Sequence, residues 1–419
     1  MPMFHRLGRL GLLAALTALL ATVLAGQTAG ARKTPAPGRT VLYAAVGGEL
    51  MQYDLDPDSG TLTKRGSVTV PATIQEGWPH PSRKYLYIAW SDNRSQHGVS
   101  AFRIDPASGA LALDGKPALL AWRPIFISTD IDGTHLIEAY NNPSGMTVHG
   151  ILPDGSIGAG IQQGSLDFGI YGHQVRVDPS DRTVILVTRG NGPTATKPED
   201  PGAIKIFSYK NGVLTNRLTI APGGGFGYQV RHLDFHPSGK WVFVTLERQN
   251  QIHVYRRMAD GTLSGSPLFV KDTVTEPAKD PGRQAVASIH VHPNGRFLYA
   301  ANRATGTMEF EGKQVFAGGE NTIAVFSINQ ETGEPTLIQS VDTQGFVPRT
   351  FTLDSNGRFL VVANQSPQAV KGETDVTVVP ASLALFRVRD DGKLDFIRKY
   401  DVETNASRSL FWARFISLP

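Results

Sequence analysis

The sequence predicts an all-β fold: a seven-bladed β-propeller of four-stranded antiparallel blades, with the first blade closed by the C-terminal strand. Three observations predict it. An alternating apolar run ending in a glycine turn recurs seven times, with the turn glycines at Gly60, Gly109, Gly155, Gly212, Gly261, Gly333 and Gly392. Their spacing, 46 to 72 residues, suits blades that carry unequal loops. Between these passages lie a strand, a tight turn and a second strand, as in Val230–Phe235, the turn His236-Pro-Ser-Gly239, and Trp241–Leu246. Finally, Thr40–Ala45 has no strand before it to pair with, and Leu410–Ser417 can supply one, which leaves no open sheet edge.

Each repeat thus supplies strands A to D in order. Pro, Asx and Gly at the A–B turns provide the preset and positive φ values that such turns require. Ahead of the first repeat, residues 1–31 have the outline of a secretory signal peptide: His5, Arg6 and Arg9 precede the apolar run Leu10–Ala25 and an Ala29-Gly-Ala31 cleavage site. Residues 32–38 form a Pro-containing linker, and 39–419 form the propeller. A periplasmic or secreted setting follows, with no membrane attachment once the signal is cleaved.

Composition excludes several classes. With no cysteine there is no disulfide, thiolate nucleophile, lipidation site or cysteine-ligated metal. No His/Asp/Glu spacing gives a compact metal set, so neither metal nor cofactor is expected. A formal charge of +4, without a basic stripe, argues against a nucleic-acid partner. The expected partner is a small molecule, and the expected state is a monomer.

Strand direction locates the site. Strand A leaves one face and strand B returns to it, so A starts and B ends open on the same mouth. The long segments Gly190–Gly202, Ala304–Glu320 and Ser366–Pro380 follow strand B, whereas Ile220–Gln229 and Lys271–Val286 precede strand A. Counting from the turns, the B ends are Ser91, Asn141, Arg189, Glu247, Arg303 and Gln365. The A starts are Gln75, Ile125, His173, Arg231, Ala287 and Arg349. Ten of these twelve are polar or charged, above strands that are mostly apolar, which describes a polar ring around a central cavity. His290 has the opposite parity and suits packing as well as binding. Gly223-Gly-Gly225, in a rim loop, suits either a phosphate or a flexible turn. His80, His236 and His292 precede turn prolines on the far face and read as structural.

Several of these passages also carry a likeness. Gly172-His173, Arg231-His-Leu-Asp-Phe-His-Pro237, Leu246-Glu247, the run Ile289–Tyr299 with Asn302-Arg303, and Pro348-Arg349 resemble the seven-bladed lactonase family. That family includes bacterial propeller-type 6-phosphogluconolactonases and fungal carboxymuconate cyclases. The resemblance implies a catalytic set of His173, Arg231, Glu247 and Arg303; the mouth positions Arg349, Arg189, Asn141, Gln75 and Gln365, with His290, are the candidates to bind substrate. Opening a lactone needs an activated water and a stabilised oxyanion. His173 or Glu247 can take the proton, and arginines suit the oxyanion or a substrate anion. Arginines beside Glu247 weaken it as a base, which favours His173. The expected activity is hydrolysis of a sugar-type lactone. A carboxymuconate-type cycloisomerase and a non-catalytic ligand- or protein-binding propeller are the alternatives. An exported chain departs from the cytoplasmic sugar-phosphate setting of the family, which bears on whether the substrate is phosphorylated.

Overall fold

The computed structural model describes residues 39–277, 283–373 and 375–419. The signal peptide and linker expected over 1–38 lie outside them. Seven four-stranded antiparallel sheets form the blades. Blade 1 joins Thr40–Val46, Glu49–Asp56 and Thr61–Thr69 to the C-terminal Leu410–Ser417, so the predicted closure is present. The innermost strands of blades 2 to 7 are Thr73–Pro79, Pro124–Thr129, Gly172–Val177, Val230–Phe235, Gln284–Val291 and Pro348–Leu353. Each touches the next, and Leu410–Ser417 touches both Thr73–Pro79 and Pro348–Leu353, completing the ring.

Residue pattern explains the layering. Second strands such as Thr183–Thr188 and Trp241–Leu246 are buried along their whole length, because both faces of each sheet meet a neighbouring blade. Outermost strands such as Val213–Ile220 are largely exposed. The core is accordingly divided into seven apolar clusters, one at each blade interface. Tyr87 and Ala89 of blade 2, for instance, pack with Ile127 and Leu136 of blade 3.

Polar straps cross the same interfaces. In blades 2, 5 and 6 the turn histidines His80, His236 and His292 donate from Nε2 to the carbonyls of Gly133, Gly295 and Gly357 in the next blade, at 2.9, 2.8 and 2.9 Å. Their Nδ1 atoms accept backbone N–H groups of their own turns, which fixes the tautomer. Tyr43, Tyr87 and Tyr299 donate to the carbonyls of Gly109, Gly155 and Gly392 at 2.5, 3.0 and 2.9 Å. The repeat glycines adopt φ values from +64° to +87°, so they are required by the turn that the neighbouring tyrosine grips.

Two segments read as long loops are instead hairpins. Thr307–Phe310 pairs with Lys313–Phe316, and Gln368–Lys371 pairs with Val376–Val379. The first turns through Glu311 and Gly312, both at positive φ, the geometry that tight hairpins favour. The hairpins touch each other, with the Lys371 ammonium 4.3 Å from the Phe310 ring centre. No helix of the described residues is long and apolar enough to cross a membrane.

Candidate active site

One backbone irregularity, repeated in every blade, builds the mouth. The first and second strands of blade 2 pair Ile74 with Trp90 and Glu76 with Ala89, so Gln75 is an inserted residue. The same β-bulge falls at Ile125, His173, Arg231, Arg349 and, on the closing strand, Phe411. In blade 6 it spans Ala287 and Ser288. A bulge bends its strand and re-aims one side chain. The inner-strand positions counted from the turns are therefore the bulge positions themselves.

Blades 4, 5 and 6 bring a charged cluster together. Glu247 lies 2.8 Å from Arg303, 3.4 Å from Arg231 and 3.5 Å from Arg189. Burial pushes its carboxyl up, but Arg303, Arg231, Arg189 and Arg349 outweigh it and hold the pKa at about 2. Arg231 is 1% exposed, and burial together with Arg303 lowers its pKa despite Glu247. Its Nε and Nη1 atoms, Glu247 Oε2 and His173 Nδ1 are buried without hydrogen-bond partners. Burial first, then Arg231 and His232, drives His173 well below the usual imidazole value, so it is neutral at pH 7.

The remaining predicted residues divide by position. Arg189 stacks on Tyr171, its guanidinium 4.1 Å from the ring centre. Arg349 stacks on Phe411 at the same distance, and burial with Arg303 lowers it to about 9. Gln75 is held by Arg123, whose Nε and Nη2 donate to Gln75 Oε1 at 2.9 and 2.6 Å. Asn141 lines a shallow pocket with Tyr171, Asn191 and Lys197. Gln365 accepts the Leu410 N–H at 3.0 Å and so ties down the closing strand. His290 lies apart from this cluster: it lines a cavity with Asp234, 3.8 Å away, and packs edge-on against Phe351. Gly225 and Gly202 meet through a 2.9 Å backbone bond, and a side chain on either would strike backbone, so part of the glycine run serves loop packing.

Five residues escaped the count. Arg123 reaches the mouth from before the strand. Phe411 sits on a strand that ends before any turn. Tyr171 holds a left-handed φ of +61° two residues before His173, and Val347 does the same at +55° before Arg349. Such a conformation is strained for these side chains and typical of functional segments. His232 follows Arg231, and its ring lies 5.2 Å from that of His173. Among the described residues no three His, Asp or Glu gather as metal ligands would.

Residues 40–372 match the family described as lactonase, 7-bladed beta-propeller. The 6-phosphogluconolactonase of Pectobacterium carotovorum is 30% identical over 315 residues, 74% of this chain and 83% of that one. That of Bacillus subtilis is 28% identical over 335 residues, 77% of this chain and 86% of its own. The periplasmic gluconolactonase of Pseudomonas aeruginosa shares the fold, with a TM-score of 0.68 at 19% identity, covering 91% of this chain and 100% of that one. Fold, closure and sequence match agree, and the chain is an enzyme of the lactonase, seven-bladed β-propeller family.

Proposed function

We propose that this enzyme hydrolyses a sugar-type lactone bearing an acidic group, at the charged mouth, in a periplasmic or secreted setting. One observation carries the reading. Arg189, Arg231 and Arg303 pair with one carboxylate, Glu247, and Arg349, which also feels Glu76, acts on it as well, leaving positive charge in excess beside a neutral imidazole. Half-buried charge of one sign calls for a counter-charge from a ligand. The names of the relatives, a 6-phosphogluconolactonase and a gluconolactonase, support the lactone.

In this reading His173 accepts a proton as water attacks the lactone carbonyl. A guanidinium of Arg231 or Arg303 stabilises the oxyanion. The C–O bond of the ring then breaks, His173 returns the proton to the departing ring oxygen, and the product is a hydroxy acid that ionises. Glu247 is too weakly basic to compete. Its work is to hold three arginines in place.

A panel of gluconolactone, its 6-phosphate and a muconolactone, assayed by acid release, tests the proposal. Hydrolysis of the 6-phosphate, faster than that of gluconolactone, is expected, and His173→Ala lowers kcat by about 10²- to 10⁴-fold; hydrolysis of gluconolactone alone would remove the acidic group from the reading. Turnover of the muconolactone alone would favour the cycloisomerase. Rates no faster than buffer for all three would leave a binding propeller.

A further inference from the structure

The channel has a second opening. On the face of the A–B turns, a cavity of about 320 Å³ is bounded by the turn residues Pro79, Pro293 and Ser355. Trp78, Phe126, Phe351 and Trp412 contribute apolar wall. Its acids are already engaged. Asp234 accepts from Arg176 at 3.2 Å and from the Val291 N–H at 2.9 Å, with His290 at 3.8 Å. Asp354 accepts the Phe359 N–H at 2.7 Å. Glu76 accepts the Gly77 N–H at 3.2 Å and also bonds Trp412.

Apart from the exposed Arg83 at the rim, the groups left without partners are all donors. Arg414 lies over Trp78, 4.3 Å from the ring centre, and among the described residues it has no hydrogen bond and no ion pair. The His232 ring, on a residue 8% exposed, has no hydrogen bond either, and the Thr350 hydroxyl is buried without a partner. All three line the one cavity. A guanidinium, a hydroxyl and an imidazole can all donate; of the three only the guanidinium is charged, and Glu76 and Asp234 offset part of that charge without bonding it. Such a set fits a single carboxylate better than a phosphate dianion, and the aromatic walls fit an apolar body.

We propose that this opening is a second ligand site, for a small aromatic monocarboxylate held by Arg414 with Thr350 and His232. Its occupant would lie one ring, that of His232, from His173. The site stands whether or not the mouth hydrolyses lactones.

Benzoate titrated into the full-length mature chain, followed by tryptophan fluorescence, tests it, because Trp78 and Trp412 line the cavity. Saturable binding is expected, at least tenfold tighter than benzyl alcohol. Arg414→Gln weakens it tenfold or more, while Arg303→Gln at the mouth leaves it within twofold. If Arg414→Gln melts early, Thr350→Val replaces it, with an expected threefold loss or more. Equal binding of benzoate and benzyl alcohol overturns the proposal. So does wild-type affinity in the folded variant, or a loss confined to Arg303→Gln, which would move the binding to the mouth.

Discussion

At Glu247 three guanidiniums converge on two oxygens, and the carboxylate stays ionised to about pH 2, against an ordinary 4.5. A depressed acid stabilises the fold above its unfolded pKa and loses that contribution as pH falls from about 4.5 towards 2. Glu247→Gln is therefore expected to lower stability by about 3 kcal/mol at pH 7, since it strands buried guanidiniums. The deficit shrinks at pH 3, and chemical denaturation at both pH values measures it. His173 behaves differently. As a base it must be deprotonated, so activity falls as pH drops through its pKa, which in the free enzyme lies well below 6.5 because of burial and the nearby Arg231. An anionic substrate offsets the guanidiniums and moves that pKa up. The acid limb of kcat is thus expected at higher pH than the limb of kcat/KM, and coincident limbs in pH–rate profiles would sink the proposed role. The charged residues of this cluster were legible in the sequence because strands A and B have fixed lengths from their turns. Arg123 and Tyr171 were not, because they enter from loops whose path no periodicity sets.

At the scale of the element, the polar straps and the charged mouth sit on opposite faces of the propeller. The His236 strap to Gly295 belongs to the A–B turns, with Nε2 donating at 2.8 Å to the next blade. His236→Ala removes that bond and leaves the Gly295 carbonyl only the Gln330 amide, at 3.0 Å, a loss of about 0.5–1.5 kcal/mol. Melting temperature should fall while kcat and KM stay within twofold. A comparable loss of kcat would mean that the turn face steers the site. The turns and straps were readable from Pro, Asx and Gly chemistry. The bulges were not, because a single inserted residue leaves no mark in an apolar run; only the polarity of the inserted residue hinted at it. The two hairpins hid for a related reason, being only four residues per strand, too short for alternation to stand out.

For the whole molecule, closure is the governing feature. Leu410–Ser417 pairs with Thr40–Val46 and packs against the inner strands on either side, so one strand joins both ends of the chain and two blade interfaces. Deleting residues 410–419 exposes the edge of blade 1 and removes Leu410, Trp412 and Phe415 from two core clusters. The expected result is loss of the cooperative thermal transition and aggregation in size-exclusion chromatography. A truncated chain that still melts cooperatively near the parent would show that the ring holds without its latch. This level was the most legible, since a repeat that fills the chain leaves one architecture. The substrate was the least legible, because it depends on how several unlike side chains combine. The ring of insertions bears on how such a protein can change. An inserted residue lies outside the ladder, so the flanking pairs keep their register whichever side chain occupies it. Each blade thus offers the axis an interchangeable socket, shared in blade 6 by Ala287 and Ser288, and Ile125 and Phe411 are the two that hold no polar group. New specificity arises by substitution at those two sockets while every sheet stays as it is.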